Sequence, residues 1–157
     1  VFLLIFLDQA AKLSAADRVK GQPDYPLLSG LLEFSYLENT GAAFSSFMWK
    51  QGFLITLTTC AMLFLIVKYW QIPKAENNRY LPMQASMLLI IAGGIGNLID
   101  RIANGYVIDF IYFVPIDFPK FNIADCYVCI GMAAFAYISF FYYKEEELDF
   151  LFTLKGK

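Results

Sequence analysis

Two aspartates stand in settings where an apolar chain normally carries no charge. Asp109 lies within Val107-Ile108-Asp109-Phe110-Ile111, and Asp125 within Phe121-Asn122-Ile123-Ala124-Asp125 at the opening of an apolar helix. Pro115 and Pro119 between them interrupt regular structure, so the chain can fold back and bring the two carboxyl groups together. Carboxylates about 3 Å apart cannot both ionise easily; they share a proton, and one titrates high. That state suits hydrolysis, since the ionised partner can take a proton from an attacking water while the protonated partner donates to the developing oxyanion or leaving nitrogen. Two separate helix caps in a polar rim are the other reading of the same residues. The chain has no histidine, which excludes Ser/His/Asp triads, Cys/His pairs and histidine-containing metal sites.

Other polar residues gather near this pair in the pattern. Asp8, Gln9 and Lys12 fall in the first apolar segment; Asn97, Asp100 and Arg101 end the third; Asn122 precedes Asp125. A charge inside a spanning helix costs roughly 2.5–3.5 kcal/mol on insertion scales, so such residues face a bundle interior or a wet cavity. Asp8 and Lys12 are four apart and can neutralise each other on one helix face, a structural polar pair. Asp100 and Arg101 read equally as an interfacial ion pair or as a substrate contact. Asn39-Thr40-Gly41 is a turn by composition. Gly93, Gly94 and Gly96 sit inside a hydrophobic segment, where close helix packing explains them better than a nucleotide loop does. Cys126 and Cys129 form a C-x-x-C that is either redox-active or a pair of small buried hydrophobes.

The elements that must position these residues are membrane helices. Of the 157 residues 59% are hydrophobic and 17% charged, far from the balance of a soluble domain. Apolar stretches at about residues 1–16, 52–70, 81–100 and 123–143 are long enough, or nearly so, to span a bilayer. The sequence opens at Val1 within an apolar run. Asp8, Gln9 and Lys12 follow it where a leader would need a small-residue cleavage site, so a retained helix is expected. The expected fold is an all-α membrane protein, a four-transmembrane-helix bundle forming a single domain over residues 1–157. A small extramembrane β element is expected around Leu32–Leu37 in a long outer loop, residues 17–51. Trp49, Trp70, Tyr142 and Tyr143 mark headgroup-level boundaries. Lys68, Lys74, Arg79, Lys144, Lys155 and Lys157 assign one end to the cytoplasm, with both termini there and the polar cluster at the opposite face. A net charge of −2 and scattered basic residues exclude nucleic acid as a partner.

Five blocks in order carry a resemblance to a known family: Leu7-Asp8-Gln9 with Lys12, Glu38-Asn39-Thr40-Gly41-Ala42-Ala43-Phe44-Ser45, Gly96-Asn97-Leu98-Ile99-Asp100-Arg101, Gly105-Tyr106-Val107-Ile108-Asp109-Phe110, and Phe121-Asn122-Ile123-Ala124-Asp125. With four hydrophobic spans they make the chain similar to the bacterial lipoprotein signal peptidases, signal peptidase II, along nearly its whole length. The resemblance implies an intramembrane aspartyl endopeptidase of the bacterial cytoplasmic membrane that removes the signal peptide from diacylglyceryl-modified prolipoproteins, before the lipidated cysteine. It implies Asp109 and Asp125 as the catalytic pair. Asn97, Arg101 and Asn122 would line the site with Asp100 in support, Asn39 and Gly41 would come from the loop covering the substrate, and Asp8 and Lys12 would stabilise the bundle. Membrane lipid is an implied partner, globomycin an implied inhibitor of the same groove, and a monomer is expected; no metal or organic cofactor is implied. Cys126 departs from the pattern, where serine or another small residue is common. A four-helix thiol oxidoreductase using Cys126 and Cys129 is the alternative, although Cys60 alone supplies no second redox pair. A small transporter with the aspartates as cation sites is a third reading.

Overall fold

The structure, a computed structural model, describes residues 1–41, 51–73 and 78–152. Expectations placed on Trp49, on Ala42 through Ser45, and on Lys74, Lys155 and Lys157 lie outside the described residues. The order along the chain is α1 (Phe2–Val19), β1 (Tyr25–Leu28), β2 (Leu32–Asn39), α2 (Gln51–Gln71), α3 (Leu81–Asn104), β3 (Val107–Phe113), α4 (Ile123–Phe141) and a short α5 (Asp149–Phe152).

Among the described residues, three helices are long and apolar enough to cross a membrane: α2, α3 and α4. The fourth expected span, α1, has 18 residues and carries Asp8, Lys12, Asp17 and Arg18. Asp8 and Lys12 are 0% and 1% exposed, whereas Phe2, Leu3, Phe6 and Leu13 of the same helix stand outward. Up to Leu13 the helix therefore turns its charge inward and its hydrocarbon outward, while Asp17 and Arg18 at its end are exposed.

Glycines let α3 and α4 meet. A methyl group at Gly93 would lie 2.3 Å from the carbonyl oxygen of Ala124, and one at Gly131 would lie 2.8 Å from Ile90. At Gly94 it would meet the sulfur of Met62 on α2 at 2.3 Å, and at Gly96 the Asp8 carboxylate on α1 at 2.7 Å. One glycine-lined stretch of α3 thus takes close approaches from all three other long helices. The ends of α3 follow from sequence: Pro82 sits in the first turn, and Gly105 adopts the left-handed conformation at φ 79°, its N–H donating to the Arg101 carbonyl at 3.1 Å.

The β element is larger than expected and differs in origin. β1, β2 and β3 form one antiparallel sheet in that order, so its third strand comes from the connection between α3 and α4, not from the first outer loop. The run Val-Ile-Asp-Phe-Ile-Tyr-Phe is rich in β-branched and aromatic residues and is bounded by Gly105 and Pro115, the composition of a strand. Ile108 and Phe110 pack with Ala11, Ala15 and Ala16 of α1, where small side chains admit the sheet.

At the other end of the bundle the chain after α4 folds back. Arg79 donates to Glu147 through Nε at 2.9 Å and Nη2 at 3.1 Å, and to the Tyr142 carbonyl at 3.0 Å. Trp70 and Tyr142 are exposed, as boundary aromatics should be, but Tyr143 is not: it is 7% exposed and stacks on Tyr80 with ring centroids 5.4 Å apart. Its hydroxyl donates to the Arg79 carbonyl at 2.8 Å, which makes it a core residue.

Candidate active site

The site lies where the sheet meets the bundle. β2 and β3 pair with Leu37 opposite Asp109 and Asn39 opposite Val107. Strand alternation then puts Leu37, Asn39, Val107 and Asp109 on one face, and all four line the same cavity. The two prolines do fold the chain back, through a 3-10 turn at Val114–Ile116 and a left-handed Asp117. Phe121 returns beside Ile111, with backbone bonds of 3.0 Å and 2.9 Å between them. This return places Asn122 against Asp109.

Asn122 begins α4. Its side-chain oxygen accepts from the Asp125 N–H at 2.9 Å, and the Asp125 carboxylate accepts from the Asn122 N–H at 3.1 Å, a reciprocal capping box. The helix-cap reading of Asp125 was therefore correct in part. Its other carboxylate oxygen accepts from Asn97 at 2.7 Å, and the residue lines the cavity. Asp109, 1% exposed, accepts from Asn39 at 2.8 Å and from Asn122 at 2.7 Å. Burial pushes the Asp109 carboxyl from the usual carboxylate range up to about 7; the Asn39 and Asn122 amides pull the other way, and the Asp125 charge adds to the rise.

Asp8, Lys12 and Asp100 form a buried trio beneath the pair. Lys12 lies 2.9 Å from Asp8 and 2.9 Å from Asp100, so it bridges α1 and α3; Asp8 has more than its own helix for a partner. Asp100 does not pair with Arg101. It accepts instead from Gln9 at 2.9 Å and from the Ile108 N–H at 3.2 Å. Asp8 accepts from the Ala124 N–H at 2.9 Å. Each acid of the trio thus grips the backbone one residue before a cavity-facing aspartate. No spacing in the sequence signals the second of these, because Asp8 and Ala124 are 116 residues apart, whereas Asp100 and Ile108 are only 8 apart. Arg101 turns toward the outer loop, with Nη2 3.3 Å from the Gly41 carbonyl and Nη1 3.5 Å from the Asn97 carbonyl. Gly41 donates its N–H to the Asn39 side-chain oxygen at 2.9 Å, closing the predicted turn.

The cavity holds about 1120 Å³. Below the aspartates its walls are Leu57, Ala61, Met62 and Leu65 of α2, Ile90 and Gly94 of α3, and Val128 and Met132 of α4. Asp125 and Met132 are seven residues apart, so the apolar trough descends roughly 10 Å along α4. A wet polar end over an apolar trough fits a substrate with a polar reacting group and a hydrophobic body. Cys126 and Cys129 are free thiols on the wall of the same cavity.

The family model for signal peptidase (SPase) II matches residues 1–141 of this sequence. The chain belongs to the signal peptidase II family. It is 47% identical over 134 residues to the lipoprotein signal peptidase of Clostridium tetani, covering 83% of each chain. It is 40% identical over 148 residues to that of a Synechocystis species, covering 92% of this chain and 88% of the relative. Two solved bacterial membrane enzymes share its fold with a TM-score of 0.76 and 31% identity each; one covers 88% of this chain and 83% of its own, the other 91% and 90%. As a signal peptidase II family member the chain is a peptidase embedded in a membrane. Membership sets aside the thiol-oxidoreductase and transporter readings. Among the residues sequence reasoning singled out, Asp109, Asp125, Asn39, Asn97, Asn122 and Arg101 line or adjoin one cavity, with Asp8, Lys12 and Asp100 packed beneath it.

Proposed function

We propose that this chain is an intramembrane aspartyl endopeptidase in which Asp109 and Asp125 hydrolyse the peptide bond before the lipidated cysteine of a diacylglyceryl-modified prolipoprotein. The observation that carries this reading is the shared cavity: two carboxyl groups face it, each held by asparagine amides, above an apolar trough long enough for a hydrophobic segment. Water attacks the scissile carbonyl carbon and gives a proton to the ionised aspartate. The protonated aspartate gives its proton to the carbonyl oxygen, and collapse of the gem-diol releases the amine without a covalent enzyme intermediate. Arg101 and Asn39 stand at the rim of the cavity, where they can hold substrate main chain or the loop over it. Globomycin would occupy the same space.

Residues 1–157 act as one unit with four spans, α1 being the fourth, and work as a monomer. Burial of Asp8 and Lys12 with outward Phe2, Leu3 and Phe6 supports a lipid-embedded α1. Both termini face the cytoplasm and the sheet faces outward, because an exported chain presents its cleavage site on the far side of the bacterial cytoplasmic membrane. Lateral entry from the bilayer delivers the substrate's acyl chains and signal helix along the trough.

The test is cleavage of a diacylglyceryl-modified prolipoprotein by the purified protein, read as globomycin-sensitive loss of the signal peptide. Asp109→Asn and Asp125→Asn are each expected to leave a folded membrane protein without turnover. Turnover retained by either variant overturns the assignment.

A further inference from the structure

Three asparagine amides face the two aspartates, and each is oriented by a group that can only donate. The Asn39 side-chain oxygen takes the Gly41 N–H at 2.9 Å, leaving its NH2 for Asp109. The Asn122 oxygen takes the Asp125 N–H at 2.9 Å, leaving its NH2 for Asp109 as well. The Asn97 oxygen takes the Lys12 ammonium at 2.9 Å, and its NH2 reaches Asp125 at 2.7 Å. An ammonium has no acceptor capacity, so Lys12, at a shorter distance than the Asn122 amide that also reaches this oxygen at 3.2 Å, is the main group that sets which way the Asn97 amide points.

The two aspartates therefore differ. Asp125 receives an amide backed by a cation together with the Asn122 backbone N–H, in the first turn of the 19-residue α4, where the helix dipole favours negative charge. Asp109 receives two neutral amides on a strand. The Asn122 amide is moreover divided among Asp109, the Ile108 carbonyl at 3.3 Å and the Asn97 oxygen at 3.2 Å.

Resting on the function proposed above, we infer that Lys12 is a positioning residue which, through Asn97, makes Asp125 the water-activating base and leaves Asp109 as the proton-carrying acid. Asp125 takes a proton from water as the new C–O bond forms, while Asp109 protonates the carbonyl oxygen. On collapse the C–N bond breaks, Asp125 passes its proton to the leaving nitrogen, and Asp109 recovers one from the gem-diol. Both side chains return to their starting states.

The Lys12 charge, offset by Asp8 and Asp100 at 2.9 Å each, acts on both aspartates, so the charge by itself does not distinguish them. The other charged or titratable groups around Asp125 among the described residues are Arg101 on α3, Asp109 on β3, Lys120 in the turn, and Cys126 and Cys129 on its own helix; α2 contributes none to the cavity. The contribution particular to Lys12 is the direction of one amide.

The experiment is the pH profile of kcat/KM for diacylglyceryl-modified prolipoprotein, measured on the purified full chain and on Lys12→Arg and Lys12→Met. Lys12→Arg keeps a donor-only head group and is expected to keep the acidic limb of the wild-type profile. Lys12→Met leaves the Asn97 oxygen only the longer 3.2 Å bond from Asn122, which loosens the amide, and its acidic limb is expected to move up by about one pH unit, with kcat falling and KM little changed. A purely structural lysine would lower folded yield and leave the limb where it was in the folded fraction; that result overturns the inference. If Lys12→Met does not fold, Asn97→Ala removes the same donor directly. It must move the same limb upward, and an unmoved limb overturns the inference equally. Failure of the underlying function looks different, since wild-type protein would not cleave, or Asp109→Asn or Asp125→Asn would still do so.

Discussion

At the scale of single residues, the site stores protonation in a place that costs the fold. Burial raises the Asp109 carboxyl from 3.8 to about 7, so the folded state holds a proton that the unfolded chain releases earlier. The stability tied to that proton is fully present below about pH 4 and is lost as pH rises through about 7. The thermal midpoint of wild-type protein is therefore expected to fall between pH 4 and pH 8, and Asp109→Asn, which cannot ionise, is expected to flatten that slope. Equal slopes for the two proteins would show that Asp109 does not titrate high in the fold. The same state predicts that cleavage declines on the alkaline side as Asp109 loses its proton. Asp109 and Asp125 were legible in the sequence because a charge in an apolar run has few explanations. Asn97 and Asn122 were legible as polar residues gathered near the aspartates and Asn39 as part of a turn, but a role at the site came only through the family's blocks, since their work depends on which way an amide faces. Lys12, the Gly41 N–H and the Asp125 N–H fix those directions, and spacing reveals none of them.

At the scale of elements, the position of Asp125 depends on how closely α3 and α4 approach. A methyl group at Gly93 would fall 2.3 Å from the Ala124 carbonyl oxygen and 2.7 Å from Val128, immediately beside the first turn that presents Asp125. Gly93→Ala is expected to cost about 1–3 kcal/mol through overpacking and to lower kcat further by displacing that turn. Gly96→Ala should act through α1 instead, because the added methyl would meet the Asp8 carboxylate at 2.7 Å. Gly52→Ala, where a methyl group meets nothing within 4 Å among the described residues, is the control and should not lower thermal stability. Detergent-solubilised midpoints and cleavage rates for the three variants check this; a Gly93→Ala protein as stable and active as wild type would mean the helices have room to spare. The helices themselves were readable from hydropathy, with α3 running to Asn104, four residues beyond its expected end. β3 was not anticipated, although Val107–Phe113 has strand composition. Its partner β2 lies some seventy residues earlier, and only that pairing makes it a strand that aims Asp109 into the cavity.

At the scale of the whole molecule, polarity is divided between two ends that do different things. One end carries the sheet and the cavity. The other is closed by the chain after α4, where Arg79 clasps Glu147 and holds its carboxyl down at about 2, while Lys68 donates to the Phe150 carbonyl at 3.0 Å. Basic residues stand at both ends, with Arg18, Lys20 and Lys120 near the sheet and Lys68, Arg79 and Lys144 opposite, so the charge rule separates them only weakly. The proposed function supplies the stronger argument: a substrate cleaved as it leaves the cytoplasm requires the sheet outside. With Cys60, Cys126 and Cys129 replaced by serine, single cysteines can read this directly. Leu28→Cys on the exposed face of β1 should react with a membrane-impermeant maleimide on intact cells, whereas Glu146→Cys should react only after the membrane is opened. The reverse pattern would turn the molecule over and separate the site from the side on which its substrate emerges, and equal labelling from outside would mean that α2, α3 and α4 do not all cross the membrane.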